Sequence, residues 1–306
     1  MTLNRRELLT GGSALAASTT LATPALAQTA KFIPVSDLTG IDPIWTTSTA
    51  VRNHAYLVYD TLFGTDAEFN AQPQMAEGHE TSADGLTVTI KLRDGLKWHD
   101  GAPVLARDCA QSIRRWAAKD GLGQMIMGLT DELGAPDDRT IKFRLKSAFP
   151  PLISALGQLS SPGPFMMPES VAKTNANTRI TSAIGSGPFR FLPDQWMQGR
   201  RVAYAKFDGY VPRGELASGT AGGKRALVDR IEWNISPDSN TAMSAIQTGE
   251  ADWYEYAAVD LLPTVAKNKN VVVSTLDPIG YPILMRLNHL QPPFNSVELR
   301  RAVPAP

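Results

Sequence analysis

The chain has 306 residues, 43% hydrophobic and 20% charged, with 30 basic and 30 acidic side chains. No apolar run is long enough to span a bilayer, and no basic surplus exists to hold nucleic acid. The 24 glycines and 22 prolines fit a loop-rich α/β protein better than a helical bundle, with room for one large or two medium domains.

Residues 1–27 read as an address rather than as structure. Asn4-Arg5-Arg6-Glu7-Leu8-Leu9 gives a positive start with paired arginines, and a mildly apolar stretch of Ala, Gly, Ser and Thr runs to Ala25-Leu26-Ala27. That is the pattern of a twin-arginine signal cleaved after Ala27, which exports folded protein. Losing Arg5, Arg6 and Glu7 removes a net +1 from a chain of net 0, leaving −1. No Cys follows the small residues, so a product free in the periplasm is expected. The one cysteine, Cys109, has no partner for an internal disulfide and is expected to be a small buried hydrophobe.

A short strand is predicted at Lys31–Val35, followed by the loop Ile41-Asp42-Pro43 and Trp45-Thr46-Thr47-Ser48. A helix is predicted from Thr49 to Phe63, with Val51, Ala55, Val58, Tyr59 and Leu62 as its apolar stripe. Leu86, Val88, Ile90 and Leu92 alternate with Thr87, Thr89 and Lys91, the period of a half-buried strand. The pairs Asp84-Gly85, Asp94-Gly95 and Asp100-Gly101 are turn formers around it. A helix then starts near Ala106, with Cys109, Ile113, Trp116 and Ala117 inward and Arg107, Gln111, Arg114 and Lys119 outward. Trp98 alternates with Leu96 and is placed in the core, and His99 is expected to bond backbone.

Farther along, Thr140–Leu145 reads as a strand and Leu152–Leu159 as a short helix. Val202 and Tyr204 mark another strand, and Pro212–Gly223 reads as a surface insertion rich in small residues. The alternation of Asp229–Ile235 predicts a strand. Asp238 then caps a helix over Asn240–Thr248 that Gly249 ends. Strands are also expected at Val271–Ser274 and Tyr281–Asn288.

Several of these segments share their residues with a known family. LRDGLKWHDG at 92–101 with Asp108 and Ser112, Tyr59-Asp60-Thr61-Leu62, Pro73-Gln-Met-Ala-Glu77, Gly185-Ser-Gly-Pro-Phe189, Gly249-Glu-Ala-Asp252 and Pro292-Pro-Phe294 with Val297, Arg300 and Ala302 resemble the family 5 solute-binding proteins of bacterial ABC importers. Met75 and Ser186 depart from that pattern, standing where the family carries Leu and Thr. The resemblance covers residues 31–302 and implies an α/β fold, a lobe of the type II periplasmic-binding-protein kind with an additional α/β subdomain. It divides the chain into a first lobe (28–54 and 181–290), the extra subdomain (55–180) and the start of a crossover (291–306). The second lobe is expected to be missing, as in a fragment, a truncated product or a frameshift.

The function implied is a periplasmic substrate-binding component, a monomer that holds a peptide or similar small solute and delivers it to ABC permease subunits. The alternatives are an exported hydrolase or a non-functional truncated binding protein. A hydrolase needs a nucleophile with a base, or a metal cluster; no Gly-x-Ser-x-Gly or His-Glu-x-x-His occurs, and the four histidines are scattered. Gly222-Gly223-Lys224 fails as a phosphate loop because Arg225 stands where Ser or Thr belongs. No catalytic residue, metal site, cofactor or nucleic-acid partner is therefore expected. Trp45, Thr46, Thr47 and Ser48 combine an aromatic with small hydroxyls behind a rigid Asp-Pro, which suits a cleft wall. The resemblance places that loop near the ligand, with Tyr281 and the pairs Gly280-Tyr281 and Asn288-His289 as weaker candidates for the cleft edge and hinge.

Overall fold

The computed structural model describes residues 28–275, 280 and 284–303. They fall into two compact units that divide at Leu261. The signal-like residues 1–27 and Tyr281 lie outside the described residues.

The first unit begins with β1 (Thr29–Ile33), slightly earlier than its apolar residues suggest. Helix α1 (Thr49–Val58) follows, and ends five residues before the predicted Phe63. Tyr59 turns extended there (φ −107°, ψ 165°), and the short strand β2 (Asp60–Thr61) takes over. Tyr59 and Leu62 are buried as expected of the stripe, but not as helix residues. Strands β3 (Phe63–Thr65) and β4 (Ala71–Pro73) pair as a hairpin.

Strands β5 (Ala76–Thr81) and β6 (Thr87–Leu92) come next. In β6, Val88, Ile90 and Leu92 point inward, as the alternation predicts. Gly85, Gly95 and Gly101 adopt φ of +71°, +78° and +90°, so each Asp-Gly turn uses the left-handed region open to glycine. Helix α2 (Ala106–Ala117) buries Cys109, Ile113, Trp116 and Ala117 and exposes Arg107 and Arg114. Two elements without a clear period follow, α3 (Gly121–Leu129) and β7 (Thr130–Gly134), and then β8 (Thr140–Leu145). Asp137 starts β8 by accepting from the Arg139 and Thr140 amides, each at 2.8 Å. Strands β5, β6, β8 and β7 form one antiparallel sheet, and the apolar face of α2 closes the first core over it.

Helix α4 (Leu152–Leu156), strand β9 (Phe165–Met166) and helix α5 (Glu169–Ala172) return the chain to β2, which pairs with β9. The second core lies under a mixed sheet of β10 (Phe189–Phe191), β11 (Arg201–Lys206), β12 (Arg230–Asn234), β1 and β13 (Trp253–Tyr254), in that spatial order. β1 runs parallel to both β12 and β13. The crossover between those two is α6 (Ser239–Thr248), capped by Asp238 Oδ1, which accepts from the Thr241 amide at 2.7 Å. Gly249 ends the helix in the left-handed conformation, φ +75°.

The segment 212–223 differs from a free surface insertion. The Thr220 amide donates to Thr65 O at 2.8 Å, and Ala221 is buried. A Cβ on Gly219 would lie 2.2 Å from Thr65 O, so its small residues serve close packing along β3.

The second unit holds α7 (Leu262–Val265) and α8 (Val297–Ala302). The strands expected at Val271–Ser274 and Tyr281–Asn288 are not formed at 271–274 or 284–288. Among the described residues of this unit no strand stands beside them, and a lone extended segment has nothing to satisfy its amides. Val272, Leu284 and Met285 accordingly remain 89%, 83% and 77% exposed.

Candidate binding loop

The site starts from a buried ion pair. Asp42 and Arg115 face each other through a bidentate contact, Nη1 to Oδ1 at 3.0 Å and Nη2 to Oδ2 at 2.7 Å, with both side chains 2% exposed. Backbone groups take up most of the remaining hydrogen-bonding capacity. Asp42 also accepts from the Ile44 and Ile180 amides, while Arg115 donates to the Thr174 and Thr178 carbonyls. A carboxylate and a guanidinium leave water at tolerable cost when they pair closely and backbone groups take up their remaining lone pairs and N–H groups. The pair therefore pins the start of the loop to α2 and to residues 174–180.

From that anchor the loop bridges the two cores. Ile44 belongs to the first, Ala50 to the second, and Trp45 packs half-buried against the first. Lys119 Nζ lies 4.7 Å and the Arg179 guanidinium carbon 5.2 Å from the Trp45 ring centroid. The indole Nε1 is buried and has no acceptor among the described residues. Thr46 Oγ1 accepts from the Ser48 amide at 3.1 Å, Thr47 is exposed, and Ser48 precedes α1 without a side-chain cap. The four loop residues of the sequence reading thus stand together on a rigid base, with Thr47 at the surface.

A second feature lies at the carboxyl ends of the parallel strands, where open α/β sheets usually present ligands. Val35, after β1, donates its amide to Glu255 Oε2 at 2.8 Å, and Glu255 Oε1 accepts from Asn53 Nδ2 at 2.6 Å. Trp253 and Tyr256 beside them are more than half exposed. Sequence reasoning passed over both, because a two-residue strand gives no period to read.

The motif residues do structural work instead. Trp98 is buried and donates to Asp108 Oδ2 at 3.2 Å, which also accepts from the Leu105 amide. His99 Nε2–H donates to Gly187 O at 3.0 Å, and its Nδ1 accepts from the Gly185 amide at 3.3 Å. Burial lowers its pKa to about 4, so the ring is neutral at pH 7 and holds that single tautomer. Gly185 and Gly187 pass so close to the end of α1 that a Cβ would meet Val58 O at 2.0 Å and Leu57 O at 2.7 Å, respectively. The Trp-His-Asp-Gly turn and the Gly-Ser-Gly-Pro-Phe segment are one joint. Cys109 is buried, and desolvation raises its thiol pKa far above the ordinary value, which keeps it protonated and inert.

Asp60 centres a further polar cluster. Its carboxylate meets Lys224 Nζ at 2.7 Å and accepts from Tyr210 OH at 3.0 Å and Gln74 Nε2 at 3.3 Å. Among the described residues no group of three or more His, Cys, Asp or Glu is placed to hold a metal ion.

Comparison with known proteins gives a consistent answer. The model of the bacterial extracellular solute-binding proteins, family 5, matches residues 70–304. The chain is 40% identical to the probable peptide ABC transporter periplasmic-binding protein y4tO of Sinorhizobium fredii, over 99% of this chain and 58% of that protein. It is 28% identical to the glutathione-binding protein GsiB of Pectobacterium atrosepticum, over 99% and 56%. Among solved structures, the binding protein MoaA of A. tumefaciens R10 with mannopinic acid matches at a TM-score of 0.74 and 23% identity, covering 90% of this chain and 54% of that one. That likeness speaks to the fold alone. The chain spans about half the length of the curated relatives it matches. With its motif residues forming the joint just described and its family match covering most of the sequence, the chain belongs to the family 5 bacterial extracellular solute-binding proteins.

Proposed function

We propose that the chain forms part of the periplasmic binding component of an ABC importer, carries no catalysis, and takes a peptide against the Trp45–Ser48 loop. The observation that carries this is the 40% identity, over nearly the whole chain, to a protein named as a probable peptide-transporter component. The loop supports it physically: an aromatic face and small hydroxyls on a pinned backbone offer apolar area with few ordering costs. Export through residues 1–27, the monomeric state and delivery to an inner-membrane permease belong to the same reading. So does the division into a lobe (28–54 and 181–290) and an extra subdomain (55–180), which the two separate cores of the first unit favour.

A binding protein of this kind closes two lobes over its solute. A chain spanning about half of its relatives is therefore expected to bind a peptide weakly, in the micromolar to millimolar range. A thermal-shift screen with short peptides, followed by calorimetry on the best one, tests this. Trp45→Ala is expected to weaken binding about tenfold, roughly 1.4 kcal/mol. Unchanged affinity in that variant, or no stabilisation by any peptide, would overturn the proposal.

A further inference from the structure

Residues 207–228 leave the sheet of the second core, cross to the first core and come back. Their ends stay together: Ala205 pairs with Arg230, and the Lys206 amide donates to Asp229 O at 2.8 Å. On the outward leg the Phe207 ring stands edge-on to His99, with centroids 4.9 Å apart. The middle lies along β3–β5. Arg213 Nη1 donates to Ala76 O at 2.9 Å, the Thr65 amide to Thr220 Oγ1 at 2.9 Å, and the Ala67 amide to Ser218 Oγ at 3.0 Å. On the return leg Ala226 and Val228 pack against the second core. Such an excursion costs backbone entropy at every residue it orders, so the bonds it makes decide whether it stays down.

Both legs converge on one carboxylate. Asp60 Oδ2 accepts from Tyr210 OH on the way out, and Oδ1 meets Lys224 Nζ on the way back. The Asp60 side chain is 1% exposed, and β2 sits on the seam: Tyr59 before it belongs to the second core, Leu62 after it to the first. None of the residues from Val211 to Thr220 is buried, so polar bonds hold the span between the two contacts. Segments with few buried apolar contacts open at lower free energy than the cores beside them. This one also carries bonds of its own that survive lifting: the Gly223 amide donates to Glu215 O at 2.9 Å and the Ser218 amide to Ala221 O at 3.0 Å. We propose that residues 210–224 form a strap across the seam between the two cores, which opens and shuts as one unit with Asp60 as its catch. Shut, it ties β2–β5 to the sheet of β11 and β12. It also fixes the far end of α1, the helix that begins at the candidate binding loop, because Asp60 follows the C-cap Tyr59. The strap is a property of the chain whatever solute it binds.

Native-state hydrogen exchange on the whole 15N-labelled chain, read amide by amide by NMR, tests the strap. The Thr65, Ala67, Thr220 and Gly223 amides are expected to share one opening equilibrium, more populated than that of strand β6, which is paired on both sides in its sheet. Lys224→Met leaves the Asp60 carboxylate without its cation. It should raise the strap's opening equilibrium about tenfold while β6 stays within about twofold. Lys224→Arg should restore most of the protection, which a variant damaged in folding would not allow. Strap amides that open one by one, or only together with β6, would overturn the proposal. So would Lys224→Met lowering protection equally in the strap and in β6.

Discussion

Replacing Arg115 with Met is expected to cost the fold about 3–5 kcal/mol, because it leaves the Asp42 carboxylate charged in the interior. The pair is 2% exposed on each side, and its partners are backbone groups that cannot follow the charge to water. Denaturant unfolding of Arg115→Met measures the loss. The double variant Asp42→Leu with Arg115→Met should recover at least half of it, since an apolar pair carries no unpaired charge. A loss below about 1 kcal/mol in the single variant would contradict the burial on which the loop's rigidity depends.

Acid is the second lever. His54 is fully buried, with Nδ1 on Tyr204 OH at 3.1 Å and Nε2 without a partner among the described residues. Burial lowers its pKa to about 3, and that of His99 to about 4. Both are neutral in the folded chain at pH 5, whereas in the unfolded chain, with pKa near 6.5, they take up a proton. The unfolded state thus binds more protons below pH 6.5, and stability falls as pH drops through that value towards 4 and 3. Above pH 6.5 neither residue contributes to the slope. Between pH 7 and 5 the expected loss is about 2 kcal/mol for His54 and somewhat less for the part-exposed His99. Carboxylates titrate mostly below this window, so it isolates the histidines. Unfolding curves at pH 7, 6 and 5 should show the decline, and His54→Phe should remove about half of it. A flat profile, or the same slope in the variant, would show that neither ring is held neutral by burial.

Much of this architecture was legible where local chemistry speaks alone. The strand at 87–92 follows from alternation, the turns at Gly85, Gly95 and Gly101 from Asp-Gly pairs, and the cap of α6 from Asp238. The apolar period continues through Tyr59 and Leu62 and so predicts a longer α1 than forms. Only the pairing of Asp60 with Met166 explains why the backbone extends there. The strands expected at Val271–Ser274 and Tyr281–Asn288 do not form at 271–274 or 284–288 for the opposite reason: apolar residues are present and, among the described residues, a neighbouring strand is not. Around the candidate loop, Trp45–Ser48 could be singled out by composition and resemblance. Arg115, 73 residues from Asp42, could not be, and neither could the approach of Lys119 and Arg179 to Trp45. Outward and inward arginines on α2 look alike until the partner's position is known.

A wall at Trp45–Ser48 against which a peptide binds has a direct consequence for backbone exchange. Hydrogen–deuterium exchange with and without a saturating peptide tests it in place. Exchange is expected to slow at 45–48, with strands Thr87–Leu92 and Thr140–Leu145 unchanged, since their amides are already paired in the sheet. Unaltered exchange at 45–48 under saturation, with protection appearing elsewhere, would rule the wall out.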